Sequence, residues 1–268
     1  MTEESYTLHA YWNARAMSVQ ECAETWRRYF NALPAVDPIF ESWLPSAPEG
    51  ESDSSVPIDL DRALRLATKA QARYDHPKTI WPEMGFSIIG NHFGRTQFHA
   101  RPECFMKTAM HVGAHARSNP HCNDLNVWIA AKRIATNQPW RASELIPLMK
   151  VVLRIWQPRE MSVDCWRYGD LRASVPDAGF AAHHKTLPPR LQLLNPLRER
   201  PLAPWVGWLT YLPADLAAKV KIPADIEVER LDDGGIIATL CDEPFTIDNP
   251  AHMARARAME AAIRPMQR

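Results

Sequence analysis

Several features that would assign a function directly are missing from this chain. No stretch approaches the roughly eighteen consecutive apolar residues of a membrane-crossing helix. Neither sign of charge is in surplus: Lys plus Arg equals Asp plus Glu at 31 each. With no global positive field to draw it onto nucleic acid or anionic lipid, any such role must be local. Glycine is sparse, with ten in 268 residues, and none falls in the GxGxxG or GxxxxGK spacing of a phosphate-cradling loop; DDGG at 232–235 fits neither. There is no GxSxG elbow and no CxxC pair. The five cysteines, Cys22, Cys104, Cys122, Cys165 and Cys241, are odd in number and scattered, as expected of reduced, mostly buried thiols. The first dozen residues, MTEESYTLHAYW, carry two acids, no basic n-region and no apolar h-region, so the expectation is a cytoplasmic protein with no membrane association.

What is present is enough apolar material for a real core, at 46% of residues, in a length that suits one large domain. YTLHAYW (Tyr6 to Trp12) has strand composition, and SVQE at Ser18 to Glu21 is a capping box that should open a helix over about 19–33. Val19, Cys22, Ala23, Trp26, Phe30 and Leu33 recur on one face of that helix. SAPEGESDSSVPIDLD reads as an exposed loop, after which Asp59 should cap a second helix ending near His76 and Pro77. From Met84 to Ala131 the runs GFSIIGNHF, TQFHARP, FMKTAMHVGAH and LNVWIAA predict an antiparallel meander.

Ser143 is the expected cap of a third helix, ELIPLMKVVLRIW, apolar on most faces and with Pro147 near its first turn. The segment 176–204 holds six prolines and is the candidate linker or sub-boundary inside an otherwise single domain, 1–268. Beyond it, WVGWLTYL reads as a strand, PADLAAKV as a short helix, and IEVERLDDGGIIATLCD as a hairpin turning at Asp233, Gly234 and Gly235. Asn249 as N-cap with Pro250 at N1 should open the last helix. Interspersed strands and helices predict an α+β fold: a largely antiparallel sheet, made of a central meander and a C-terminal hairpin, packed with about four to five helices.

The histidine-rich stretch HVGAHARSNPHC, from His111 to Cys122, is the one cluster of metal-binding residue types. On a helix His111 and His115 would share a face as in HExxH, but the glutamate that motif needs as base is absent. Gly113 and the Asn119-Pro120 turn signal favour a strand end and a polar loop instead. A metal-dependent hydrolase using His111, His115 and His121, with Cys122, is the rival reading; solvated or hydrogen-bonded histidines are the plainer one. His183 and His184, in the proline-rich segment, read as surface residues. No cofactor is expected.

Charge is uneven along the chain. Residues 41–61 hold six acids, Glu41, Glu49, Glu51, Asp53, Asp59 and Asp61, and no Lys or Arg. A second block, 225–248, holds eight acids against Arg230 alone. Each reads either as a solvated surface or as a surface that meets a basic partner. Ten tryptophans are more than usual; most belong in a core, and one or two exposed near an acidic rim would make interface anchors.

The order of motifs in YTLHAYWNARAMSVQECAETWRRYFNALPAVDPIFESWLP resembles the start of the immunity protein 52 family of bacterial polymorphic toxin systems: an aromatic strand, an arginine, the ECA of the first helix and a DPxFxxW run. VGWLTYL, DDGGIIATL and DNPAHMARARAME are similar to that family's C-terminal GW strand, glycine-turned hairpin and final NPxH helix. The resemblance implies a non-catalytic α+β immunity protein. Its partner would be a cognate toxin, typically a nuclease with a restriction-endonuclease-like domain delivered between competing bacteria by a secretion system such as type VI, with no direct contact to nucleic acid. A nuclease groove is basic because it must neutralise phosphates. The acidic loop carrying Glu49, Glu51, Asp53, Asp59 and Asp61 is therefore the expected toxin-binding element.

Overall fold

A computed structural model of the chain describes residues 5–12, 15–41, 43–45, 86–92, 106–112, 123–130, 132–133, 136–165, 167–169 and 205–267, with the backbone alone for 43–45, 86–92 and 106–112. Nine strands form one sheet: β1 (Tyr6–Trp12), β2 (Trp43–Pro45), β3 (Phe86–His92), β4 (Met106–Val112), β5 (Asn123–Ile129), β6 (Glu160–Cys165), β7 (Leu209–Leu212), β8 (Glu227–Arg230) and β9 (Ile236–Thr239). Their spatial order is β2-β3-β4-β5-β1-β6-β7-β9-β8, and every pairing is antiparallel. The expected meander is β3-β4-β5, and the expected hairpin is β8-β9. The first strand of the sequence lies in the middle of the sheet, between β5 and β6.

Four α-helices are described: α1 (Val19–Ala32), α2 (Ala142–Trp156), the single turn α3 (Ala214–Ala217) and α4 (Pro250–Ile263). The capping box of α1 forms as expected: the Ser18 hydroxyl accepts the Glu21 N–H at 3.2 Å, and the Ser18 N–H donates to Glu21 Oε2 at 2.7 Å. Asn249 caps α4, its Oδ1 accepting the Ala251 N–H at 2.9 Å with Pro250 at N1. The hairpin turns through Gly234, whose φ of 82° is the left-handed region that glycine enters without steric cost. The Asp59 helix, the TQFHARP run of the expected meander and the segment 176–204 lie outside the described residues.

α2 differs from expectation at its start. The N-cap is Arg141, and Ser143 sits two positions inside. The Arg141 N–H donates to Glu144 Oε2 at 2.9 Å, while the Ser143 N–H is taken by Asp242 Oδ1 at 3.2 Å from a distant loop. Pro147 therefore falls in the second turn, where it removes a backbone donor that a first-turn position would not have used. It is tolerated on the exposed stripe of Ser143, Pro147, Lys150 and Arg154, which leaves the other faces of the helix buried or half-buried.

Period two gives the sheet two unlike faces. One carries Leu8, Ala10, Trp12, Leu125, Val127, Ile129, Met161 and Val163, all buried, beneath α1 and α2. Trp156 of α2 stacks on Trp12 at 5.2 Å and tilts against Tyr29 of α1 at 6.0 Å. Those rings join strand and helices into one core.

Candidate functional site

The opposite face is polar. In the row nearest the end of β4, backbone register aligns Ser87, His111, Asp124, Tyr11 and Glu160 across five strands. The next row includes Asn126, His9, Ser162 and Thr210, and the third Lys107, Trp128, Thr7 and Asp164, with Lys107 opposite Trp128 in register. Alternation on β1 and β5 places these residues here: each of their neighbours in sequence is a buried residue of the other face.

A hydrogen-bonded chain runs across this face. A carboxylate only accepts, so Asn126 Nδ2 donates to Asp124 Oδ2 at 2.5 Å. That orientation turns Asn126 Oδ1 toward His9 Nδ1 at 2.6 Å, and an amide oxygen only accepts, so His9 donates from Nδ1. Beside this chain Trp128 is 38% exposed, the large apolar side chain that the described surface presents. Trp12, Trp26, Trp140, Trp156 and Trp208 are all buried.

The second concentration of chemistry is the loop between β9 and α4. Its carbonyls and side chains tie together elements remote in sequence. Trp208 Nε1 donates to the Cys241 carbonyl at 2.7 Å, and the Tyr6 hydroxyl donates to the Phe245 carbonyl at 3.1 Å. The Ala142 N–H donates to the Asp242 carbonyl at 2.9 Å. Arg141 pairs with Asp242 at 2.7 Å, and Arg167 grips both Asp248 oxygens at 2.8 and 3.0 Å.

Cys241, Glu243 and His252 bring one donor atom each within 4.8 Å of one another, a set with the composition of a metal site. The proton placement opposes a cation there. The Thr246 N–H donates to His252 Nδ1 at 3.2 Å, so Nδ1 is an acceptor and the proton sits on Nε2, which donates to Glu243 Oε1 at 2.9 Å. A metal on Nε2 needs the reverse arrangement, with Nδ1 donating to a carbonyl or carboxylate. Burial pushes the Cys241 thiol up to about 12, and its sulfur donates to the Glu243 carbonyl at 3.2 Å. The hydrogen bond from His252 holds Glu243 below the usual carboxylate range. The cluster is a satisfied structural tie. Cys22 is likewise pushed up to about 12 by burial, so neither thiol is a competent nucleophile.

His111 is a strand residue, which ends the helical reading of the pair His111 and His115. Its register neighbours are Ser87 and Asp124. His115, His121 and Cys122 lie outside the described residues, as do Glu49, Glu51, Asp53, Asp59 and Asp61. Half of the second acidic block pairs with cations of this same chain at its surface. Asp225 pairs with Arg255, Glu229 with Lys150, Asp242 with Arg141 and Asp248 with Arg167, while Glu243 accepts from the neutral His252. Asp233 Oδ1 accepts the Gly235 N–H at 2.8 Å within the hairpin turn. Reading this block as a surface for a basic partner missed these contacts, because the cations lie in other segments. The Asp124, Asn126 and His9 chain was missed for the same reason. Polar alternation in YTLHAYW and NDLNVWI was the available signal.

The fold is thus an antiparallel α+β layer structure with one helix-covered face and one polar face. No catalytic nucleophile is assembled among the described residues. Comparison with known proteins points to one class. Residues 172–265 match the model of the Immunity protein 52 family, which takes in the GW strand, the hairpin, the Cys241 to His252 loop and α4. No curated protein matches the chain. Among solved structures, the Pseudomonas aeruginosa T6SS protein PA0821 is a distant likeness, with a TM-score of 0.48 and 10% identity over 97% of this chain and 73% of that one. Among the described residues no helix is long and apolar enough to cross a membrane.

Proposed function

We infer that this protein is an immunity protein, which binds a cognate antibacterial toxin and neutralises it stoichiometrically and without catalysis in the cytoplasm of the cell that carries it. The observation that carries the reading is the match of residues 172–265 to the Immunity protein 52 family. It is supported by the burial that pushes the Cys22 and Cys241 thiols up to about 12 and by the closed hydrogen bonding of His252, which give these three residues structural rather than catalytic roles.

The toxin on this reading is a nuclease with a restriction-endonuclease-like domain, delivered by a secretion system. Its substrate groove must be basic to hold phosphates. An acidic protein surface competes for such a groove and accelerates encounter. The loop with Glu49, Glu51, Asp53, Asp59 and Asp61 is one candidate for that surface. Neither a direct nucleic-acid contact nor a cofactor is part of this function.

The test is co-expression with the product of the neighbouring gene. The expected result is a co-purifying complex and rescue of growth. A neighbouring gene product that is neither toxic nor bound would overturn the reading. Stoichiometric metal in the purified protein, with no rescue, would favour the hydrolase built on His111, His115 and His121.

A further inference from the structure

We propose that Tyr211, Asp215 and Asp233, with Arg159 beside them, form a docking site for one cationic nitrogen group, a lysine ammonium or arginine guanidinium offered by the protein partner. This rests on the immunity reading above and names a contact point for its partner.

Segments far apart in the chain meet there. Tyr211 lies in β7, Asp215 in α3, Asp233 in the turn between β8 and β9, and Arg159 just ahead of β6. Close packing fixes the meeting. A Cβ on Gly235 would lie 3.0 Å from Tyr211 Cε2 and 3.0 Å from Asp233 Oδ1, so the edge of the phenol ring and the Asp233 carboxylate are neighbours across one glycine. A Cβ on Gly234 would lie 3.3 Å from the Ala214 Cβ, which seats the hairpin turn on α3 next to Asp215. Arg159 Nη2 stands 3.8 Å from Asp215 Oδ2.

The group that points to a ligand is the Tyr211 hydroxyl. The residue is 4% exposed, yet among the described residues its hydroxyl has no hydrogen-bond partner. The hydroxyls of the buried Tyr6 and Tyr168 are bonded, to the Phe245 carbonyl and to Glu260. A buried polar group without a partner is destabilising, and its retention asks for a reason.

The local field supplies one. Burial, then Asp233, then Asp215 push the phenol up to about 12, and Arg159 opposes them by less than either carboxylate does. The hydroxyl therefore stays neutral, with its oxygen in a negative environment that suits a positively charged donor. Lys219, Lys221 and Arg230, the other cations of these segments, pair with neither carboxylate among the described residues.

Both carboxylates have capacity left. Asp233 commits Oδ1 to the Gly235 N–H at 2.8 Å, which leaves Oδ2 for an incoming donor. Asp215 is held only by its 3.8 Å contact with Arg159, which is longer than a hydrogen bond. Access is open, since the side chains of Asp215 and Arg159 are 56% and 48% exposed and Asp233 is exposed as well. A divalent metal suits the site poorly, because it needs more oxygen ligands than these and the Arg159 guanidinium repels it. An ammonium or guanidinium brings several N–H donors of its own, matched to two carboxylates and a phenol oxygen.

The experiment uses the purified full chain, with isotope-labelled tyrosine, as wild type, Y211F, D215N and D233N. Phe keeps the ring against Gly235 and Asn keeps an Oδ1 for the Gly235 N–H, and thermal melts establish that each variant folds. One probe is the peptide acetyl-Gly-Arg-Gly-amide, with acetyl-Gly-Gln-Gly-amide as its neutral counterpart, read by the Tyr211 ring resonance. The other is the neighbouring gene's toxin, read by affinity. The arginine peptide is expected to shift Tyr211 saturably in wild type and more weakly in D215N and D233N, while the glutamine peptide leaves it in place. Each of the three variants should weaken toxin binding by about 10-fold or more, as for loss of a hydrogen bond to a charged group. Absence of a saturable shift with the arginine peptide, or an equal shift with the glutamine peptide, would overturn the cationic site and leave the immunity function standing. A saturable shift with toxin affinity unchanged in every variant would overturn the partner's side chain as occupant. A toxin that does not bind the wild-type protein would overturn the immunity reading and, with it, the partner, whereas the peptide still decides the site.

Discussion

Single residues carry constraints that a composition count would not reveal. Gly207, in the GW pair, packs so closely on β6 that a Cβ would lie 2.4 Å from the Val163 carbonyl oxygen and 2.5 Å from Asp164 Oδ1. Its N–H is meanwhile held by Thr210 Oγ1 at 3.0 Å. Backbone cannot retreat as a flexible side chain would, so G207A should destabilise the fold by about 1–3 kcal/mol. Urea unfolding of variant and wild type measures this, and an unchanged midpoint would contradict the close approach. His252 offers a second case. H252F keeps the ring stacked near Phe245 but strips the Thr246 N–H of its acceptor and Glu243 of its donor, a loss of about 1–3 kcal/mol. The H252F protein is nonetheless expected to take up no less metal than the wild type, because His252 is a tie and not a ligand. Zinc titration followed by melting temperature checks it: a zinc-dependent rise in wild type that disappears in H252F would show the opposite.

Elements differ in how locally they are written. α1 and α4 begin at caps whose donors and acceptors lie within three residues, so SVQE and DNPAHM suffice to place them. α2 is different, because its Ser143 N–H is capped by Asp242, 99 residues downstream. Ser143 has the right side chain for a cap, and the sequence offers no sign that a remote carboxylate displaces it. D242A should cost about 1 kcal/mol, the usual worth of a helix cap, read as a lower urea midpoint.

The same carboxylate makes a pH prediction. Burial alone would raise Asp242, but the Ser143 N–H and the Arg141 guanidinium outweigh it and hold it below its ordinary value. Glu243 is lowered by His252, and Asp248 by Arg167. Groups with depressed folded-state pKa values contribute stability that is fully present above the unfolded value, roughly 4, and is lost as pH falls through the folded value. Melting temperature should therefore drop as pH falls below about 4. The drop should be shallower in D242N, which has no charge to lose there. Identical pH profiles for the two proteins would remove Asp242 from the account.

At the scale of the molecule, the sheet follows from a topology that local patterns only partly imply. β3, β4 and β5 are consecutive, with alternating or apolar runs, and the β8-β9 hairpin has its glycine turn; both were legible. The place of β1 was not, since nothing in YTLHAYW distinguishes a central strand paired on both sides from an edge strand. Nor was the short edge strand β2 legible, nor the buried pairing of Asp37, where Arg133 Nη2 reaches its Oδ2 at 2.7 Å across 96 residues.

The candidate site divides along the same line. The polar positions Thr7, His9 and Tyr11 are visible as alternation, yet their meeting with Asp124, Asn126, Trp128, Glu160 and Asp164 depends on strand register. By itself the sequence determined the α+β class, the capped starts of α1 and α4, the meander and the hairpin, because these rest on side chains and backbone groups a few residues apart. Only the tertiary structure decided that four of the eight acids of 225–248 pair with cations from other segments, while the carboxylates of β5 and β6 gather on one face. Ion pairs and cross-strand neighbours are fixed by which distant segments the buried core brings together, and no window of the chain contains both partners.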